Sequence, residues 1–149
     1  MSYGDLRKGR HSEPGRSYHV TVVTHGRQPY FVDFHLSRLV IAEMRKIHDQ
    51  GLVGSLAWVL MPDHLHWLFT LGQPYDLGTA MKLFKGRSAR VANQMLHRSD
   101  TFWQTGYYDH AVRSDEVLEK LARYIVANPL RAKLVDSLAG YALWDAIWV

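Results

Sequence analysis

Hydrophobic and polar positions along the chain alternate with two different periods, and the switches between them mark its elements. Ser17 to Thr24 is rich in β-branched and aromatic residues and predicts a first strand. Asp33 to Gln50 changes to helical spacing, with Leu36, Leu39, Val40, Ala42, Glu43, Met44 and Ile47 including one face, and Gly51 is placed to cap it. Gly54 to Met61 and His64 to Leu71 are strand-like runs separated by Met61-Pro62-Asp63, so they form either a hairpin or one bent strand. Gly78 to His97 predicts a second helix, with Met81, Phe84, Ser88, Val91 and Met95 on one side. Phe102 to Arg113 is aromatic and extended, and its last part is a candidate fourth strand. Ser114 to Ala127 predicts a third helix, with Ser114 as N-cap, Glu116 near the positive end of the dipole, and Pro129 ending or kinking it. The tail from Leu138 to Val149 carries Trp144 and Trp148 and is expected to pack back on the body.

The resulting order, β-α-β-β-α-β-α, predicts an α+β fold of ferredoxin-like type: an antiparallel sheet with two helices on one face and a third helix on the free face or edge. Residues 17–149 are expected to form one domain. Residues 1–16 are polar and glycine-containing without periodicity, and read either as a basic arm that orders on a partner or as a frayed terminus.

A chain of 149 residues with 47% hydrophobic residues can bury a proper core. There are no cysteines, which excludes disulfides, thiolate metal sites and cysteine nucleophiles and suits a reducing, cytoplasmic setting. No signal peptide or membrane anchor is expected at residues 1–10, which hold no apolar core segment, and no membrane span is expected, because no apolar run approaches the roughly 20 residues a bilayer requires. A net charge of +4, with nine histidines besides, favours a polyanionic partner without requiring one.

The third strand carries the polar exceptions. His64 and His66 stand two apart in an otherwise apolar run, so strand alternation puts both imidazoles on one face. Two such imidazoles can chelate a divalent metal and leave positions for substrate oxygens, although chance histidines on a solvated face have the same spacing. Tyr124 and Asn128, four apart near the end of the third helix, offer a phenolic nucleophile and a neutral oxygen suited to magnesium or manganese. An ordinary core tyrosine and an ordinary helix terminator would look the same. Lys82, Lys85, Arg87, Arg90, Arg113, Arg123 and Arg131 are candidate phosphate contacts or solvated surface charges. Phe102, Trp103, Tyr107 and Tyr108 could stack on unpaired bases or fill the core, and the role of His110 is open.

Met61-Pro62-Asp63-His64-Leu65-His66 resembles the His-hydrophobic-His motif of the single-strand HUH tyrosine transposases. Lys85-Gly-Arg-Ser-Ala-Arg90, Phe102-Trp-Gln-Thr-Gly-Tyr-Tyr-Asp-His110 and Tyr124-Ile-Val-Ala-Asn-Pro-Leu-Arg131 are similar to segments of the REP-associated branch of that family. The similarity runs from about Arg7 to Trp148. It implies a metal-dependent endonuclease and strand transferase that cleaves and rejoins single-stranded DNA at hairpins of repetitive extragenic palindromes. It implies Tyr124 as nucleophile, forming a 5′-phosphotyrosine, and His64, His66 and Asn128 as ligands of magnesium or manganese. It implies a DNA-recognising arm with Arg7, Lys8, Arg10 and Arg16, further DNA contacts from Lys85, Arg87 and Arg90, and a cytoplasmic, nucleoid-associated protein acting as monomer or homodimer. The competing readings are a non-catalytic single-stranded nucleic-acid-binding module on the same fold, and a metal-dependent hydrolase with no covalent step.

Overall fold

The computed structural model describes residues 12–113, 117–134 and 141–147. Five strands form one antiparallel sheet: β1 (Ser17–Val23), β2 (Val53–Met61), β3 (His64–Leu71), β4 (Tyr108–Ala111) and β5 (Trp144–Ala146), in the order β4-β1-β3-β2-β5. The helices are α1 (Phe34–Asp49), α2 (Leu77–Met95), α3 (Leu118–Val126) and a single turn α4 (Asn128–Arg131). This is the mixed α+β order the periodicities predict, with β5 and α4 added.

β2 and β3 form a tight hairpin rather than a bent strand: Met61 pairs with His64 across Pro62-Asp63, and the pairing runs back to Val53 opposite Leu71. β3 is the centre of the sheet, flanked by β1 and β2. Its alternate residues Leu65, Trp67, Phe69 and Leu71 are buried in a core shared with α1 and α2. Trp67 meets Phe69 and Phe84 edge-on, with ring centroids 5.1 and 5.3 Å apart. Leu68 points the other way, into a second core with Ala57, Val59, Met61, Ala122, Ile125 and Val126. So α1 and α2 cover one face and α3 covers part of the other.

Local chemistry sets the helix ends. The Asp33 carboxylate accepts from the backbone N–H groups of His35 and Leu36 and opens α1, and Asp76 accepts from Thr79 N–H and opens α2. Gly51, at φ 81°, follows α1 in the left-handed conformation that glycine adopts at no steric cost. α3 departs from expectation, because it starts at Leu118 with Val117 at its N-cap and no side-chain cap. Ser114 and Glu116, expected to open it, lie outside the described residues. For residues 144–146 the expected tail packing is realised by β5, which pairs with β2 through Ala57, Trp58 and Val59, while Leu138 and Trp148 lie outside the described residues.

The aromatic segment after α2 fills the core. Phe102, Trp103 and Tyr107 are buried, and of that group Tyr108 alone is exposed. Trp103 Nε1–H donates to the buried Ser88 hydroxyl at 2.8 Å, and that hydroxyl donates to the Phe84 carbonyl at 2.6 Å. Lys85 Nζ donates to the carbonyls of Gln104 and Gly106 at 2.9 and 2.7 Å, fastening the same segment to α2. Ser88→Ala leaves the buried indole N–H without its acceptor. It should cost about 1–3 kcal/mol, read as a lower urea midpoint with an unchanged slope. An unchanged midpoint would show that this link does not stabilise the fold.

Candidate active site

β3 alternation sends His64 and His66 to the face that α3 partly covers, with ring centroids 4.9 Å apart. Each imidazole is held through Nδ1. His64 Nδ1 lies 2.7 Å from Asp63 Oδ1, and Arg27 Nη1 donates to the other carboxylate oxygen at 3.1 Å. His66 Nδ1 lies 3.0 Å from His19 Nε2 and 3.1 Å from Thr21 Oγ1. β1 delivers both partners: Thr21 is directly opposite His66, and His19 is two residues along on the same face. His110 on β4 stands opposite His19 and extends the row of histidines across three strands.

Burial pushes the His66 pKa down to about 3, helped by the nearby positive charges of His64, His19 and Arg131. His19 is pushed down to about 4, by burial first and then by His110. Both imidazoles are therefore neutral near pH 7, the form that binds metals. Partial burial pushes the Asp63 carboxyl up, but the hydrogen bonds and charges of His64 and Arg27 prevail and hold it below the usual carboxylate range.

α3 carries Tyr124 past this face. Ala122, Ile125 and Val126 anchor the helix, whereas Tyr124 is 62% exposed. The Arg131 guanidinium sits over the Tyr124 ring, 3.8 Å from its centroid. The same arginine acts on His66 electrostatically, so it connects the phenol with the histidine pair. Tyr124 and Asn128 do not share one continuous helix: α3 ends at Val126, Ala127 caps it, and Asn128-Pro129 opens α4. Pro129 has no N–H to continue the α3 ladder. Asn128 Nδ2 donates to the Ile125 carbonyl at 2.6 Å, which fixes the amide and directs its oxygen away from that bond.

The basic residues are divided. Arg16 pairs loosely with Glu13 at 3.9 Å, and Arg7, Lys8 and Arg10 lie outside the described residues. Residues 12–16 are tied to the body: Gly15 N–H donates to the Leu71 carbonyl, and Ser12 Oγ accepts from Leu77 N–H. Lys85, Arg87 and Arg90 belong to α2, across the sheet from the histidines. Lys85 is committed to backbone carbonyls as above, Arg87 donates to Gln50 Oε1 at 2.7 Å, and Arg90 is exposed.

By donor type the residues suit a divalent ion of intermediate hardness: two imidazoles, each with Nδ1 engaged and Nε2 remaining, and an amide oxygen on α4. Among the described residues no third His, Cys, Asp or Glu joins the pair in a cluster able to hold a metal ion. Sequence reasoning missed His19 and Thr21. Their spacing on β1 repeats the His-x-His alternation of β3, but what ties the two strands is a register that no single segment encodes.

A model of the family described as "Transposase IS200 like" matches residues 14–128, a span that includes His64, His66, Tyr124 and Asn128. The chain belongs to this family. It is 29% identical over 87 residues to the REP-associated tyrosine transposase of Escherichia coli K12, an alignment covering 57% of this chain and 49% of that protein. The chain thus spans about half the length of that curated relative. Its fold resembles that of a REP-associated tyrosine transposase solved bound to a REP hairpin, with TM-score 0.77 and 19% identity over 91% of this chain and 79% of that one. It also resembles a candidate transposase of Deinococcus radiodurans, with TM-score 0.58 and 24% identity over 79% of this chain and 94% of that one. No helix among the described residues is long and apolar enough to cross a membrane.

The lowered pKa values give a direction for stability. Between the ordinary imidazole value of 6.5 and about 4, the unfolded chain takes up protons that His19 and His66 refuse in the fold. The unfolded state binds more protons in that window, so stability falls as pH drops through it and is level above it. Urea midpoints at pH 7.5, 6 and 4.5 should decline in that order, with much of the decline lost in His66→Gln. A midpoint equal at all three would contradict neutral, buried imidazoles.

Proposed function

We propose that the protein is a metal-dependent endonuclease and strand transferase that cuts and rejoins single-stranded DNA beside hairpins of the repetitive extragenic palindrome type, with Tyr124 as nucleophile. One observation carries the proposal: the paired imidazoles of His64 and His66, with both Nδ1 atoms engaged, share a sheet face with the helix that bears the exposed Tyr124. The REP hairpin in the structural relative's complex supports the choice of substrate. Burial of Phe102, Trp103 and Tyr107 removes most of the stacking surface that a binding-only module would use.

His64, His66 and Asn128 are the residues that would hold magnesium or manganese. Such an ion supplies positive charge that polarises the scissile phosphate and offsets charge developing on its oxygens. The chain's own groups do the rest. The Tyr124 phenolic oxygen attacks phosphorus and the bond from phosphorus to the 3′ oxygen breaks. The phenolic proton passes to solvent, and the departing oxygen takes a proton from solvent and leaves as a 3′-hydroxyl. The 5′-phosphate stays on Tyr124 as a phosphodiester, so the bond energy is conserved and the same or another 3′-hydroxyl can reverse the step. Arg131 holds the phenol ring and places a fixed positive charge beside it. Arg7, Lys8, Arg10 and Arg16 would contact the hairpin backbone from the arm, and Arg87 and Arg90 would reach DNA only on the α2 side. Lys85 already holds the 104–106 loop, which makes it the weakest member of the expected DNA-contact set.

The test is covalent trapping with labelled single-stranded oligonucleotides carrying palindromic repeats from beside the protein's own gene. A manganese-dependent adduct should form, vanish with chelator and vanish in Tyr124→Phe, while the variant still binds the hairpin. Adduct formation by Tyr124→Phe would remove the nucleophile assignment. Hairpin binding with no adduct in any metal would favour the non-catalytic module, and strand cutting that survives the substitution would favour the hydrolase. Asp63→Ala should weaken manganese binding by about 10–100-fold, because His64 loses the carboxylate that orients it. An unchanged affinity by calorimetry would mean that Asp63 does not support a metal ligand.

A further inference from the structure

We propose that His19, with Thr21, is a positioning residue that selects the tautomer of His66, keeping the proton on Nδ1 and the lone pair on Nε2; this rests on the metal-binding reading above. The argument starts from crowding. His66 Nδ1 has His19 Nε2 at 3.0 Å and Thr21 Oγ1 at 3.1 Å, so that nitrogen is closed to any ion and coordination can use Nε2 alone. A neutral imidazole carries one proton. If Nε2 binds metal the proton is on Nδ1, and neither neighbour can then donate to that nitrogen; each can face it only as an acceptor. A hydroxyl can always rotate to accept. His19 accepts through Nε2 only when its own proton is on Nδ1, so the choice made at His19 determines the choice made at His66.

The two imidazoles of the pair are thereby supported differently. His64 leans on a carboxylate that Arg27 also engages, at 2.7 Å and 3.1 Å respectively. His66 leans on a neutral hydroxyl and a neutral imidazole from another strand, and the rings of His19 and His66 lie 5.2 Å apart at an interplanar angle of 43°. A carboxylate imposes a donor on the facing nitrogen whatever the surroundings. A second imidazole imposes one only if it is itself held in the accepting tautomer. The β1–β3 register, which pairs Thr21 with His66 and brings His19 alongside, is therefore part of the metal-binding apparatus as well as of the sheet.

The experiment uses the full chain without metal and then with manganese. Long-range ¹⁵N–¹H spectra at pH 7.5 read the His66 tautomer directly, and manganese affinity is measured by titration. In the wild type the His66 proton should be on Nδ1. In His19→Leu with Thr21→Val it should shift toward Nε2, and the manganese dissociation constant should rise by about 10–100-fold. His19→Gln, whose amide oxygen can accept where Nε2 did, should return the affinity to within a few fold of wild type, which a loss through misfolding would not do. A wild-type proton on Nε2, or equal affinity in the double variant, would overturn the proposal. If the wild type binds no manganese although His66 carries its proton on Nδ1, the metal-binding reading fails while the tautomer assignment stands.

Discussion

The period of two along β3 is the constraint from which the rest follows. Leu65, Trp67, Phe69 and Leu71 are buried against α1 and α2, so the strand cannot slip by one residue without turning four large apolar side chains out of the core. The same alternation fixes His64 and His66 on the opposite face. Each of the four buried residues is worth on the order of 2–5 kcal/mol if truncated, so their burial sets the register. Core packing thus positions the imidazoles, and the chemistry inherits its precision from hydrophobic burial.

Around this strand the sheet supplies support from both sides in sequence. Asp63 comes from the hairpin turn next to His64, and His19 and Thr21 come from β1, more than forty residues earlier. α3 lies over the same face, anchored by Ala122, Ile125 and Val126, and leaves Tyr124 outward under the Arg131 guanidinium. Under the proposed function, an exposed phenol on a helix over the same face as the two histidines could approach an unpaired backbone without the protein opening a duplex. α1 and α2 serve chiefly as the other half of the core, and the contacts of Lys85 and Ser88 show two residues of a motif-like segment working to hold the 102–107 loop.

Much of this was legible in the sequence because it is local. Strand and helix periods place β1, β2, β3, α1 and α2 to within a residue or two, and Gly51 follows α1 as the cap its position suggests. The start of α3 was misplaced because Ser114 looks like a cap while the helix begins at Leu118 without one. The break between Tyr124 and Asn128 is written in Pro129, although a spacing of four also suits one continuous helix. The supports of His66 were not legible: a histidine and a threonine on β1 acquire meaning only when antiparallel pairing sets them beside β3. Burial of Phe102, Trp103 and Tyr107 was also undetermined, because aromatic composition suits a stacking surface and a core equally well.

The central claim is that the face built by β3 and its neighbours binds a divalent ion through Nε2 of His64 and His66, next to Tyr124. The most direct measurement is a manganese-soaked crystal with anomalous scattering recorded at the metal edge. The account predicts one strong anomalous peak on that face, bonded to Nε2 of both histidines, with Asp63, His19 and Thr21 still on the Nδ1 side. A peak elsewhere, or coordination through Nδ1 of either residue, would contradict it.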